Sequence, residues 1–230
     1  TIIDQKGPAT GASHGNAGIL AASSIIPVPN PSLIKKLPFF LLSKNSPVFF
    51  KMSYLPKMFP FLMSYLSKSN LREVNKYAER MTPLIFDTVC QHNSLAKGTG
   101  AEKFISYQDY CFGYETEQNF INDEKVWELR QKHGLPFEVV TGNDFSKFDP
   151  FYKNLFDVIV KCKNHGKIND PGLYVKTLCD HFLSQGGELI ISKVNDISSK
   201  NLNDVIVKIE SDSLIANKIV VATGAWSKKI

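Results

Sequence analysis

Near its start the chain reads TIIDQKGPATGASHGNAG. An acid closing a short β-branched run, followed by small residues and an amide, is a set suited to handling a nucleotide. A carboxylate such as that of Asp4 accepts hydrogen bonds from ribose hydroxyls when it ends a strand of a nucleotide-binding sheet, and a plain turn residue after a strand accounts for the same acid. Gly7, Gly11, Gly15 and Gly18 then fall within a dozen residues, a density that raises the question of a phosphate-cradling loop. A dinucleotide fingerprint sets GxGxxG directly after a full strand and directly before a helix, with the acid about 20 residues later. Here the glycines are spaced four, four and three apart, and the acid precedes them. That order predicts a turn following the second strand of such a fold. The phosphate-cradling loop is then expected upstream of Thr1.

The far end has a related pattern. KIVVATGAWS places an apolar run before Ala222, Thr223 and Gly224. A glycine there lets the backbone come close to a bulky ligand. A core strand ending in a plain turn accounts for the same letters. Other chemistry is thin. Cys90, Cys111, Cys162 and Cys179 form no CxxC pair and lie near no histidine at zinc-site spacing, so reduced thiols and no metal are expected. Arg72, Arg80 and Arg130 sit on helix-like patterns and read as solvated surface. No catalytic residue stands out. The net charge of +5 is mild and does not suggest a nucleic-acid binder with a basic stripe.

The elements that would position these residues follow from periodicity. Residues 5–18 are loop. Residues 33–66 are rich in Phe, Leu, Met and Tyr, with prolines at 38, 47, 56 and 60 expected to break them into short helices. From Gln5 to Arg72 there is no acid but there are seven lysines. Such helices either pack a second domain with their lysines in water or lie on an anionic membrane. Residues 70–97 predict a long helix, kinked or restarted at Pro83. FISYQDYCFGYET predicts a strand, NDEKVWELRQKHG a helix ending at Gly134, and PFEVV a short strand. GNDFSKFDP predicts a short helix and LFDVIVKC a strand. INDPGLYVKTLCDHFLSQGG predicts a helix capped by Asn169 or Asp170 and stopped at Gly186 and Gly187. Three strands should follow, in ELIISKV, NDVIVKIE and SLIANKIVVATG.

Four stretches carry a family resemblance: IIDQKGPATGASHGNAG, KHGLPFEVVTGNDFSKFDP, HGKINDPGLYVKTL and KIVVATGAWS. In this order they resemble the FAD-dependent amino-acid oxidoreductases of the D-amino-acid oxidase superfamily. They are most similar to the small-subunit type of bacterial D-amino-acid dehydrogenases. The resemblance implies an α/β fold: an incomplete Rossmann-like FAD-binding domain with an inserted α+β substrate domain on a mixed or antiparallel sheet. Residues 1–32 and 164–230 would be the FAD domain, and 33–163 the substrate domain. The chain would be an internal fragment of a longer protein.

The resemblance also implies FAD-contacting positions. Asp4 matches the ribose carboxylate. Ser13, Asn16, Ala17 and Gly18 match the turn against flavin and pyrophosphate. Val194 matches the backbone that pairs with the adenine edge. Ala222, Thr223 and Gly224 match the strand end beside the pyrophosphate. A glycine expected near Asp109 is missing, and Gln5 stands where the family usually has a basic residue. The implied activity is oxidation of D-amino acids to imino and then keto acids, by hydride transfer to flavin N5. Electrons would pass to a quinone or carrier, with peripheral membrane contact through 33–68. The expected location is cytoplasmic or on the inner face of the plasma membrane. Two alternatives stay open: a sister flavoenzyme acting on sarcosine, glycine or a 2-hydroxy acid, and a flavin-free membrane or interaction protein.

Overall fold

Ile2–Asp4, β-branched and apolar at its centre, is strand β1. It pairs in parallel with β8, Leu189–Ile191, so that Asp4 and Ile191 end side by side. This computed structural model describes residues 1–28, 31, 51–199, 201 and 203–229. They fall into two compact units. The first comprises 1–18, 96–104 and 168–230, and the second 19–95 and 105–167.

In the first unit, helix α7 (Pro171–Ser184) precedes β8. The Asp170 side chain accepts from the Leu173 N–H at 2.8 Å, and Pro171 fills the first turn, where its missing N–H costs nothing. Three strands follow β8 as an antiparallel meander: β9 (Val194–Ser199), β10 (Val205–Ile209) and β11 (Ser213–Ala216). Their alternation buries Val207 and leaves Lys208 outward.

The second unit centres on an antiparallel sheet ordered β4 (Tyr110–Tyr114), β6 (Val158–Cys162), β5 (Phe137–Thr141). Its register aligns Tyr110 and Phe137 on either side of Cys162. The period of two sends Tyr110, Phe112, Tyr114, Val158, Val160 and Cys162 to one face. That face packs on Trp127 of α5 (Glu124–Lys132) and on Phe120 of α4 (Glu117–Asn122). Trp127 is 2% exposed and meets the Phe112 ring edge-on at 5.2 Å. A short helix, α6 (Gly142–Phe145), follows β5. A smaller sheet joins β2 (Ile19–Leu20), β7 (Gly166–Ile168) and β3 (Ile105–Tyr107). A second core gathers Ala22, Ile25, Leu135 and Ala78, the last from α2 (Leu71–Ile85). Helices α1 (Leu55–Ser67) and α3 (Thr88–Ala96) flank α2 in sequence.

Several expectations need correcting. Pro83 does not break its helix. The interruption falls at residues 86–87, before α3 begins. The carbonyl that Pro83 leaves without its donor belongs to Glu79, an exposed residue that water can reach. Pro60 likewise lies inside α1 without ending it. FISYQDYCFGYET is two strands, β3 and β4, parted at residues 108–109. The run KIVVAT forms no strand, and Gly224–Lys229 is a 3-10 turn. Strand propensity is expressed through pairing, and no described strand pairs with this run, in which Val220 is 90% exposed. Arg130 is not surface. It is 7% exposed. The cysteines are free, with Cys162 and Cys179 buried. The stretch 32–50, with Pro38 and Pro47, lies outside the described residues.

Candidate functional site

The candidate site lies in the first unit, at the carboxyl ends of the parallel strands β1 and β8. Ligands of open α/β sheets bind in the crevice outside those ends. Asp4 stands there, exposed. Its Oδ1 accepts from the N–H groups of Lys6 (2.9 Å) and Gly7 (2.8 Å), which turns the chain sharply after the strand. Its other oxygen has no partner among the described residues.

The loop that follows is fixed by its own short bonds. The Thr10 hydroxyl donates to the Gly7 carbonyl at 2.8 Å, and the His14 N–H to the Gly11 carbonyl at 3.0 Å. Asn16 Oδ1 accepts from the Gly18 N–H at 2.7 Å. Ala9 takes a left-handed φ of 64°, a conformation that costs a residue with a Cβ about 1–2 kcal/mol. The loop and α7 enclose a cleft of about 440 Å³, within the roughly 300–1,000 Å³ of small-molecule sites. One wall is small: Pro8, Ala9, Gly11 and Ala12. The other is apolar: Val175, Leu178, Cys179 and Phe182 of α7. Ile2 and Leu189 belong to the strands. The helical spacing of 175, 178, 179 and 182 puts these four on one stripe. A carboxylate, a loop of small residues and an apolar wall suit a flat apolar ring bearing a hydroxylated neighbour.

Asp4 and Ser13 line the cleft. Asn16 and Gly18 lock the end of the loop. Gly18 is buried at φ 72°, its carbonyl accepts from the Ile168 N–H at 2.7 Å, and a Cβ on it would sit 2.0 Å from the Ile168 carbonyl oxygen. Ala17 is exposed. Val194 opens β9 opposite Ile209, half-buried. Ala222, Thr223 and Gly224 are exposed, with Thr223 Oγ1 3.1 Å from Ser227 Oγ. Neither Val194 nor 222–224 lines the cleft. The apolar wall on α7 was not anticipated as a site. Its spacing is legible, but the same spacing describes any helix packed on a core.

In the second unit the sequence hides a buried polar trio. His165, 3% exposed, has Nε2 3.1 Å from the Ser23 N and 2.8 Å from Ser23 Oγ, and Nδ1 2.7 Å from the Lys163 carbonyl. The carbonyl can only accept, so Nδ1 carries the proton and Nε2 accepts from Ser23. Arg130 Nε donates to the Ser23 carbonyl at 3.1 Å, and its guanidinium lies over the Trp127 and Phe112 rings at 4.3 and 5.2 Å. Burial pushes the pKa of both His165 and Arg130 down. Tyr114 is pushed up to about 12, chiefly by burial, while the Trp127 N–H donating to its oxygen works the other way.

The family described as FAD dependent oxidoreductase matches residues 1–230 of the chain. A D-amino-acid oxidase from Bradyrhizobium diazoefficiens is 31% identical over 233 residues, covering 100% of this chain and 55% of that protein. A D-amino acid dehydrogenase from Helicobacter pylori is 19% identical over 225 residues, covering 97% and 53%. The chain spans about half the length of the curated relatives it matches. Among solved structures, glycine oxidase from Geobacillus kaustophilus superposes with a TM-score of 0.62 at 17% identity, over 99% of this chain and 49% of that one. At that identity the likeness is one of fold.

Proposed function

The chain belongs to the FAD dependent oxidoreductase family, and we propose that it supplies the adenosine-side part of the flavin site in an enzyme that oxidises D-amino acids. The observation that carries this reading is the cleft at the ends of β1 and β8, with Asp4 beside it and small residues along one wall. Its donor set fits the adenosine end of FAD. Asp4 offers an acceptor to ribose hydroxyls while its Oδ1 holds the loop. The α7 stripe gives a ring an apolar wall.

In this reading Ser13, Asn16, Ala17 and Gly18 approach the pyrophosphate and flavin, and Asn16 acts by holding the turn in shape. The Val194 backbone meets the adenine edge, and Ala222, Thr223 and Gly224 lie beside the pyrophosphate. Residues 1–32 and 164–230 serve the cofactor, and 33–163 the substrate. Flavin, when bound, supplies the two-electron acceptor for the Cα hydrogen of the amino acid. The residues named here bind and orient, and none moves a proton. The names of the curated relatives support D-amino acids as substrates, and a quinone or carrier as acceptor follows from the dehydrogenase reading.

The test uses the purified protein at the full length its gene encodes. Its visible spectrum is recorded without oxygen, before and after D-alanine. A flavin spectrum that bleaches is the expected result. A flavin spectrum unchanged by D-alanine and by other D-amino acids overturns the substrate. A colourless protein that takes up no added FAD overturns the whole reading.

A further inference from the structure

Helix α7 ends in two glycines that serve different needs. Gly186 has a φ of 86°, and its N–H donates to the Leu183 carbonyl at 3.0 Å. The Gly187 N–H reaches back to the Phe182 carbonyl, also at 3.0 Å. This pair of bonds is the Schellman ending of a helix, which favours glycine at the left-handed position and often sets an apolar side chain at the next one against the helix. Gly187 fills that next position. Its φ lies outside the left-handed region, so the backbone does not require glycine there.

Space requires it. A Cβ on Gly187 would sit within 2.5 Å of Cζ, Cε1 and Cε2 of the Phe182 ring. A Cβ on Gly186 would meet nothing within 4 Å. The ring therefore lies directly over Gly187, in the place an apolar side chain would otherwise take. The atoms in conflict are the far end of a side chain, so the ring would yield to a Cβ before the backbone did. Phe182 is also the last member of the α7 stripe that walls the cleft, and it is the one aromatic among the described residues lining it.

We propose that the Phe182 ring is the surface on which the purine of the cofactor packs, and that Gly187 is the positioning residue that seats this ring. The inference rests on reading the cleft as the adenosine site. Paired rings prefer particular arrangements and gain more than their buried area accounts for. Where the Phe182 ring sits then matters to affinity, and not only that it is apolar.

The test is ADP binding to the full-length protein freed of flavin, measured by titration calorimetry. Phe182→Leu keeps an apolar wall without the ring and should weaken binding about three- to tenfold. Gly187→Ala pushes the ring aside and should weaken binding by a similar factor. Leucine has none of the three atoms that the new Cβ strikes, so adding Gly187→Ala to Phe182→Leu should cost nothing further. A glycine that served the fold alone would cost the same in both backgrounds. Gly186→Ala is the control: it strains the helix end with open space around its Cβ, and should lower the melting temperature while leaving ADP affinity unchanged. Unchanged affinity in Phe182→Leu, or an equal loss on adding Gly187→Ala to either background, overturns the proposal, and the cofactor reading survives if the wild type takes up FAD. A wild type that takes up neither FAD nor ADP overturns both.

Discussion

His165 and Ser23, 142 residues apart, are joined twice: Nε2 of the imidazole takes the Ser23 N–H at 3.1 Å and lies 2.8 Å from its Oγ. With Nδ1–H committed to the Lys163 carbonyl, the bonds require a neutral ring. The groups around it argue the same way on balance. Burial lowers its pKa most; the Lys163 carbonyl and then Asp109 pull it back upward, Arg130 adds a smaller push down, and the Tyr110 ring stacks against it.

Acid should therefore loosen the second unit. With the folded pKa below the ordinary 6.5, the contribution of His165 is complete above that value and is lost as pH falls below it, at a slope of at most about 1.4 kcal/mol per unit. Urea midpoints of the wild type and of His165→Phe, followed from pH 8 to pH 5, check this. The variant should start lower, by about 1–3 kcal/mol for the orphaned Ser23 donor, and should lack this acid-dependent component. Parallel pH curves would refute it.

Arg130 should behave as a core residue. Arg130→Ala removes the group stacked on Trp127 and orphans the Ser23 carbonyl, and is expected to cost about 3 kcal/mol. Arg130→Met keeps much of the volume and should cost about 1 kcal/mol, mainly for the orphaned carbonyl. Equilibrium unfolding of the two variants measures the difference. A near-neutral Arg130→Ala would return this residue to the surface.

Gly18 and Gly15 separate two kinds of glycine. Both have positive φ, 72° and 66°. A Cβ on Gly18 meets the Ile168 backbone at 2.0 Å, whereas one on Gly15 meets nothing within 4 Å. Gly15→Ala should cost only the conformational penalty, about 1–2 kcal/mol. Gly18→Ala adds a backbone clash that no side-chain motion relieves, so it should unfold the loop or lose expression. Thermal melts of the two compare them directly, and equal melting temperatures would contradict the packing described.

Asp4→Asn keeps an oxygen for the Lys6 and Gly7 N–H groups and removes the charge. FAD affinity of the full-length protein, read by flavin fluorescence, should fall about tenfold or more, since the carboxylate oxygen that would accept from the ribose hydroxyls is replaced by an amide NH2 that can only donate. The melting temperature of the flavin-free protein should hardly move. Unchanged affinity would remove Asp4 from the site.

Local signals were legible wherever a rule acts within a few residues. Asp170 and Pro171 announce the start of α7, Gly134 follows the end of α5, and the alternation in NDVIVKIE makes β10. Asp4 closing an Ile-Ile run was enough to place a turn and a carboxylate together, because a side chain can satisfy the N–H groups two and three residues on without help from the rest of the chain. The resemblance carried the family, because it needs only residue types in order.

The rest depended on contacts distant in sequence. KIVVAT has the composition of a strand and forms none, since pairing, not propensity, makes a strand. Arg130 looked like any helix-surface arginine. Its neighbours in space are Ser23, Phe112 and Trp127, and only the packing of α5 against the sheet took it out of water. The second wall of the cleft comes from α7, about 170 residues after the loop it faces. The sequence by itself determined the family, the caps and turns, and the carboxylate at a strand end, all consequences of short-range bonding. The tertiary structure alone decided which polar groups are buried and which surfaces close on one another, because desolvation and packing belong to the whole fold.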